Sequence, residues 1–233
     1  MRVAAVVPAY NEERWVIPVL KTLTQSSVIH DVILVSDGST DGTYEAAAGY
    51  DGVKAIKLPE NVGKGGAMVA GAKHAEEADI LAFFDADLIG LTPSHVEALL
   101  QPVLDGKADM TIGIFKGGRP RTDWAQSIAP YISGQRAIRR KDFLSVPGLE
   151  GARYGAEIAV GRHARSIGLV TALVPLVGVT HPMKEEKLGW LRGTLSRAKM
   201  YWEILKLVAA TSRESGMSKR ASRVAAENEP LGR

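Results

Sequence analysis

The chain has 233 residues, of which 45% are hydrophobic, enough for one α/β domain with a sizeable core and an elaborated C-terminal part. It contains no cysteine, which excludes disulfides and thiolate metal sites. The formal net charge of +3 makes the chain mildly basic, which is its only feature that favours nucleic-acid binding. Aromatic residues make up only 6% of the chain, and we expect no binding to nucleic acid.

The first half of the chain alternates short apolar runs with helical patterns. Strands separated by helices predict a Rossmann-like, mostly parallel sheet flanked by helices. Because such sheets bind ligands beyond the carboxyl ends of their strands, chemically active motifs should follow the strands. The predicted strands are 2–7, 32–35, 53–58, 80–84 and 110–114, and the predicted helices are 11–24 (capped by Asn11 and kinked at Pro18), 43–48, 65–77 and 92–104.

The second half has a less regular pattern. We expect a single domain over residues 1–211 and a disordered tail over residues 212–233, where large apolar residues are few. No apolar stretch reaches the roughly 20 residues of a spanning helix, and we expect neither a signal peptide nor a membrane span. The predicted elements are a basic loop at 117–123, helices at 138–144, 156–168 and 188–211, and a strand at 169–176.

Three polar motifs follow the first three strands. Residues 8–13 read PAYNEE, and residues 36–43 read SDGSTDGT, a turn that offers a carboxylate and free N–H groups. Residues 61–67 read NVGKGGA, in which glycines allow close approach of a phosphate and Lys64 adds positive charge. The glycine spacing does not match a P-loop. Each motif alone is also typical of an ordinary polar turn.

A fourth motif places Asp85 and Asp87 directly after the apolar strand at 80–84. Two neighbouring carboxylates repel each other unless a cation neutralises them. Mg²⁺ or Mn²⁺ is the natural partner, held by one or two carboxylates and by the phosphates of a substrate. The motif therefore predicts a divalent metal site.

In this order, the four motifs resemble the family 2 glycosyltransferases of the GT-A fold, over residues 2–176 and most strongly over residues 2–90. The resemblance implies a nucleotide-sugar-binding half (1–115), an acceptor half (116–211) and a UDP- or GDP-sugar donor, with Asp37 on the base. It also implies that Asp85 and Asp87 hold the metal, with Asp87 in a catalytic role. The implied donor-binding residues are Pro8, Tyr10, Glu12, Asp37, Gly38, Lys64, Gly65 and Asp85.

Two later segments indicate the branch of the family. Residues 133–140 (SGQRAIRR) are similar to an element of the polyprenyl-phosphate sugar transferases, and residues 154–158 (YGAEI) are similar to that group and to glucosyl-3-phosphoglycerate synthase. The resemblance implies His181 as a third metal ligand, although an exposed loop histidine is the alternative. We expect Glu157 to contact the acceptor in catalysis. The alternative is that Glu157 is a carboxylate on a helix face that pairs with an arginine. The implied acceptor-binding residues are Arg119, Gln135 and Arg136.

The acceptor is expected to carry phosphate. Many inverting relatives place a basic Asp just before the SG element, but residues 129–132 contain no carboxylate. A hydroxyl acceptor normally needs a base, whereas a phosphate is already an anion. The candidates are a polyprenyl phosphate and a small phosphorylated metabolite such as 3-phosphoglycerate. A retaining mechanism, in which the phosphate of the donor takes the proton, also tolerates the gap.

Several alternatives stay open. The predicted helix at 188–211 combines aromatic and basic residues, so it either lies at a membrane surface or packs on the core. We expect a cytoplasmic protein, peripheral at the inner membrane face in the first case, and leave a homodimer open. The alternative is that the chain is a sugar-nucleotide-binding protein or a nucleotidyltransferase. A nucleotidyltransferase is expected to have a glycine-rich basic loop where this chain has PAYNEE.

Overall fold

The computed structural model describes residues 1–117, 133–153 and 155–182. The strands within these ranges are β1 (Val3–Ala9), β2 (Asp31–Asp37), β3 (Val53–Leu58), β4 (Ile80–Phe83), β5 (Met110–Lys116), β6 (Arg136–Arg139) and β7 (Thr171–Val177). The helices are α1 (Val16–Thr24), α2 (Thr43–Ala48), α3 (Lys64–His74), α4 (Pro93–Leu104), α5 (Arg140–Leu144) and α6 (Ala156–Ser166), with a 3₁₀ turn at Leu149–Gly151.

The strands form one sheet in the order β3-β2-β1-β4-β6-β5-β7. Strands β1, β2, β3 and β4 pair in parallel, as do β5 and β7, whereas β6 is antiparallel to both of its neighbours. The predicted α/β class with a mostly parallel sheet is confirmed.

The predicted helix at 138–144 is wrong in its first two residues. Residues 136–139 form β6, and α5 begins only at Arg140. Ala137 and Ile138 are buried because β6 lies between two central strands. Tertiary pairing has decided the conformation of a segment too short for its pattern to decide.

Helices cover both faces of the sheet. Strand β1 shows why, since its alternating side chains enter two separate apolar cores. Val3, Ala5 and Val7 pack in the core that includes residues of α1 and α4, while Ala4 and Val6 pack in the core that includes residues of α3 and α6. Both faces of β1 are therefore buried, as expected for a central parallel strand.

Helix α1 begins five residues later than the sequence suggests. Asn11 has a φ of 57°, which is left-handed, so it does not cap the helix. The carbonyl of Glu12 instead accepts the N–H groups of Trp15 and Val16. Pro18 then lies in the first turn, where its missing N–H costs no intrahelical bond, so it does not kink the helix. Residues 10–15 remain a loop beyond β1.

The chain divides into a compact unit, Met1–His181, and a second unit, Pro182–Arg233. The second unit lies outside the described residues except for Pro182, and with it the predicted helix at 188–211 and the predicted tail at 212–233. The boundary at 211 stays a prediction. Among the described helices, none has the length and apolarity needed to cross a bilayer.

Two glycines in helices of equal length give a matched test of the packing. A Cβ on Gly71 of α3 would lie 2.3 Å from Val6 Cγ1, whereas a Cβ on Gly161 of α6 meets no described atom within 4 Å. We expect Gly71→Ala to lower the free energy of unfolding by about 1–2 kcal/mol, since overpacking exceeds the gain in helix propensity. Gly161→Ala should raise it by about 0.5–1 kcal/mol. Urea unfolding measures both, and a gain at both positions would contradict the packing of α3.

Candidate active site

Most of the predicted site residues lie at one edge of the sheet. Asp85 and Asp87 follow the carboxyl end of β4, and His181 follows the carboxyl end of β7. The two loops are joined by a pair of backbone hydrogen bonds between Ile89 and Thr180, of 2.8 and 3.0 Å. This bridge holds the histidine against the two carboxylates.

Asp85, Asp87 and His181 form a cluster that could hold a metal ion, since one ligand atom from each lies within 4.8 Å of the others. His181 Nδ1 is 2.9 Å from Asp87 Oδ1, and His181 Nε2 is 3.6 Å from Asp85 Oδ2. Burial would lower the pKa of the imidazole, but the hydrogen bond to Asp87 and the charges of both carboxylates raise it. The alternative of an isolated, exposed loop histidine therefore does not apply.

The donor atoms of this cluster suit a divalent cation. Two carboxylate oxygens and one imidazole nitrogen are ligands that Mn²⁺ accepts and that Mg²⁺ can share with phosphates and water. The three side chains are between 15% and 31% exposed, so they are close to solvent yet held in place. The residues thus fit the predicted metal.

Lys64 links the metal cluster to Glu157. Its Nζ lies 2.5 Å from Asp85 Oδ1 and 2.5 Å from Glu157 Oε1. Burial would lower the pKa of Lys64, but the two carboxylates raise it. Burial would raise the pKa values of Asp85 and Glu157, but the charge of Lys64 contributes most to lowering both. All three groups are therefore ionised at neutral pH.

Gln135 contacts the metal cluster directly. The side chain is fully buried at the start of β6, and its Nε2 donates to Asp85 Oδ2 at 2.7 Å. Its Oε1 accepts a hydrogen bond of 2.9 Å from Ser133 Oγ. Each end of the amide thus has a protein partner, and the predicted contact of Gln135 with the acceptor stays a prediction.

Arg136 joins the segment before β6 to α6. It is fully buried, and its guanidinium donates to the carbonyls of Ser133 at 2.6 Å and Glu157 at 3.0 Å. Its role in acceptor binding stays a prediction. Arg136 donates to the backbone carbonyl of Glu157, and its charge also lowers the pKa of the Glu157 carboxylate, which binds Lys64. Arg119 lies outside the described residues.

Asp37 anchors the glycine-rich loop. Its carboxylate is buried at the end of β2 and accepts the N–H groups of Val62 at 2.8 Å and Gly63 at 3.0 Å. Gly38 has a φ of 64°, and a Cβ there would lie 2.5 Å from the nitrogen of Asn61, so the two loops need glycine at this position. Contact of Asp37 with a base stays a prediction, since a carboxylate oxygen can accept more than one hydrogen bond.

The loop after β1 is joined to the loop after β2. Asn11 Oδ1 accepts the N–H of Thr40 at 2.8 Å, and the N–H of Glu12 donates to Thr43 Oγ1 at 2.8 Å. Pro8 lies half-buried at the end of β1, and Tyr10 is 49% exposed beyond it. The roles of Pro8, Tyr10 and Glu12 in donor binding stay predictions. The hydrogen bonds to Thr40 and Thr43 fix the loop after β1 against the loop after β2.

Gly65 packs closely against the protein, and its role in donor binding stays a prediction. Its N–H donates to the carbonyl of Ala152 at 3.0 Å, and a Cβ would clash with the carbonyl of Leu149.

Arg153 contacts the loop before α3 and was not predicted from the sequence. It donates to the carbonyl and side chain of Asn61 at 3.0 and 3.1 Å. Its only signal in the sequence is its place directly before the YGAEI segment.

Comparison with known proteins agrees with this geometry. A family model described as "Glycosyl transferase family 2" matches residues 4–155. Among solved structures, the chain is similar to glucosyl-3-phosphoglycerate synthase from Mycobacterium tuberculosis in complex with Mn²⁺, UDP and glucosyl-3-phosphoglycerate. The TM-score is 0.62 and the identity 26%, over 78% of this chain and 72% of that one.

Two relatives of known activity also resemble the chain. An undecaprenyl-phosphate mannosyltransferase from Micrococcus luteus is 28% identical over 81% of this chain and 88% of its own length. A UDP-N-acetylglucosamine–dolichyl-phosphate N-acetylglucosaminyltransferase from Methanococcus voltae is 32% identical over 46% of this chain. The matched part is 49% of that relative, so the chain aligns with about half of its length.

The ion pair between Lys64 and Glu157 predicts a pH-dependent contribution to stability. Because the pKa of Glu157 is lowered on folding, its carboxylate stabilises the fold above its ordinary pKa of 4.5 and loses that effect as the pH falls. We expect Glu157→Gln to lower the free energy of unfolding by about 1.5–3 kcal/mol at pH 7, and by less below pH 4.5.

Glu150→Gln is the matched control. Glu150 pairs with Lys73 at 2.6 Å, but both side chains are more than 60% exposed. Its loss should cost less than about 1 kcal/mol. Denaturant unfolding between pH 2.5 and pH 7 compares the two variants. Equal losses, or a Glu157→Gln loss that does not change with pH, would contradict the ion pair.

Proposed function

Because the chain belongs to glycosyl transferase family 2, we propose that it transfers a hexosyl group from a UDP- or GDP-sugar to a phosphate-bearing acceptor. The reaction would depend on Mg²⁺ or Mn²⁺. Asp85 and Asp87 would hold the metal with His181, and Asp87 would serve directly in catalysis. The donor would lie between the metal and the loops after β1 and β2.

One observation carries this proposal: the Asp85, Asp87 and His181 ligand atoms converge within 4.8 Å at the carboxyl edge of the sheet. The same edge carries the loops after β1 and β2, where the resemblance places the nucleoside. Ligands of parallel sheets bind at this edge. A metal held there would neutralise the diphosphate leaving group as its bond to the sugar breaks.

The protein side chains prepare the site for an anionic donor. Lys64 places a permanent positive charge beside Asp85, at the N-terminus of α3. Both the ammonium and the helix N-terminus favour a phosphate. Asp37 holds the backbone that leads into this helix, so the position of Lys64 depends on the turn after β2. These contacts support a diphosphate next to the metal.

Two acceptor types agree with the relatives and the solved structures. One relative is named for undecaprenyl phosphate, and one solved complex contains glucosyl-3-phosphoglycerate. A polyprenyl phosphate would attack through a phosphate oxygen. A phosphoglycerate would attack through a hydroxyl group, and in a retaining reaction the phosphate of the donor takes the proton. Both acceptors carry phosphate, which is the chemistry we propose.

Glu157 is better suited to binding than to proton abstraction. Its carboxylate is 13% exposed and is held by Lys64, whose charge lowers the pKa of the acid. A general base works best with a pKa near the operating pH, so this ionised carboxylate would be a weak one. We propose that it acts in catalysis by holding Lys64 and contacting a polar group of the acceptor.

A non-catalytic sugar-nucleotide-binding protein and a nucleotidyltransferase are the alternatives. The former would bind the donor with metal but release no nucleoside diphosphate. The latter would form a nucleotide sugar from a nucleoside triphosphate and a sugar phosphate. Product analysis therefore separates the three functions.

Metal and nucleotide should stabilise the protein together. With Mn²⁺ and UDP or GDP at about 100 times the dissociation constant, we expect a rise in Tm of about 5–10 °C in a thermal-shift assay. Asp87→Asn should abolish the part of the rise that requires metal. Asp105→Asn, which changes an exposed pair with Lys107, is the control and should leave the rise intact. A full response in Asp87→Asn would argue against the metal site.

Transfer of the sugar should require the phosphate group of the acceptor. With the donor identified, we expect transfer to undecaprenyl phosphate or to 3-phosphoglycerate, and none to the matched undecaprenol or glycerate. Release of nucleoside diphosphate and mass analysis of the product measure this. Asp87→Asn should lower the rate by at least about 100-fold, the size of effect seen when a group that stabilises transition-state charge is removed. Equal transfer to the dephosphorylated acceptors would overturn the acceptor class.

A further inference from the structure

We propose that Gln135 is a positioning residue, which fixes the orientation of the Asp85 carboxylate for the metal. This inference rests on the metal site of the proposed function. It assigns Gln135 to the metal side of the site rather than to the acceptor side.

The hydrogen bonds of Gln135 have only one chemically consistent arrangement. A carboxylate at neutral pH can only accept, so the group that faces Asp85 Oδ2 at 2.7 Å must be the amide nitrogen. The amide oxygen then faces Ser133 Oγ at 2.9 Å and accepts its hydrogen. Ser133 therefore fixes the amide of Gln135, which in turn fixes Asp85.

The Asp85 carboxylate is held on three sides. Lys64 binds Oδ1 and Gln135 binds Oδ2. On the third side, a Cβ on Gly134 would lie 2.6 Å from both carboxylate oxygens, so the backbone itself packs against the group. Oδ2 also lies 3.6 Å from His181 Nε2, which places the oxygen held by Gln135 next to another candidate ligand.

The burial of Gln135 favours this role over contact with a substrate. The residue has no exposed surface, and a loss of its hydrogen bond would leave Asp85 Oδ2 without the donor that fixes its direction. Partners that orient a metal ligand typically change metal affinity by about 10–100-fold when removed. The effect of Gln135 should therefore appear in metal binding.

The test is Gln135→Met, which keeps the length of the side chain and removes its hydrogen bonds. We expect the dissociation constant for Mn²⁺ alone, measured on the full chain by the EPR signal of free Mn²⁺, to rise by about 10–100-fold. Saturating Mn²⁺ should restore most of kcat, which it would not do after a general loss of structure.

Gln101→Met is the matched control. Gln101 Nε2 donates to Asp105 Oδ1 at 2.7 Å on an exposed face of α4, so the same substitution removes the same kind of bond elsewhere. Its Mn²⁺ affinity should equal that of the unaltered chain. Ser133→Ala leaves Gln135 in place and removes only the group that orients its amide, so a smaller loss of affinity is expected.

The outcomes separate this inference from the proposed function. If the unaltered chain binds no Mn²⁺, both fail. If it binds Mn²⁺ and the Gln135→Met and Ser133→Ala variants bind it equally well, only the role of Gln135 is overturned. If Gln135→Met does not fold, the loss of affinity in folded Ser133→Ala decides the question by itself.

Discussion

The fold brings three negatively charged side chains together at one edge of the sheet, and the structure of the site depends on how that charge is compensated. Asp85, Asp87 and Glu157 converge there, and three carboxylates in a partly buried site repel one another. Lys64 compensates two of them at 2.5 Å each, and His181 lies 2.9 Å from the third. The pair Lys64 and Glu157 also joins the first turn of α3 to the first turn of α6. A divalent cation would add to this compensation where the protein alone supplies only monovalent charges.

The topology explains why these groups meet. All strands except β6 run in one direction, so β1, β2, β4 and β7 end at the same edge. Because β6 is antiparallel, its first residues reach that edge instead of its last. Gln135 therefore arrives beside Asp85, with Phe83 paired to Arg136 one step inside the sheet. Among the described strands only β6 is reversed, and this reversal brings Gln135, which directly precedes it, to the metal cluster.

Much of this could be predicted from the sequence, and the rest depended on long-range pairing. The strands that end near Asp37 and Asp85 were predictable because apolar runs alternate with helical patterns. Ligands of parallel sheets bind beyond the carboxyl ends of the strands, and this located the two carboxylates in the site. The strand β6 was not predicted, and its last two residues, 138–139, were predicted as helix, since four residues carry too little periodicity to reveal a strand between two others. The burial of Gln135 and Arg136 was therefore not predicted either. The packing of Gly65 on Ala152 was likewise invisible, because the partner lies in a distant loop.

The central claim is that a divalent metal binds at Asp85, Asp87 and His181 beneath the diphosphate of the donor. The most direct measurement is a crystal structure of the chain grown with Mn²⁺ and UDP, with anomalous data collected at the manganese absorption edge. The account predicts one strong anomalous peak within bonding distance of all three side chains and of the diphosphate. A peak elsewhere, or UDP bound with no peak at this cluster, would contradict it.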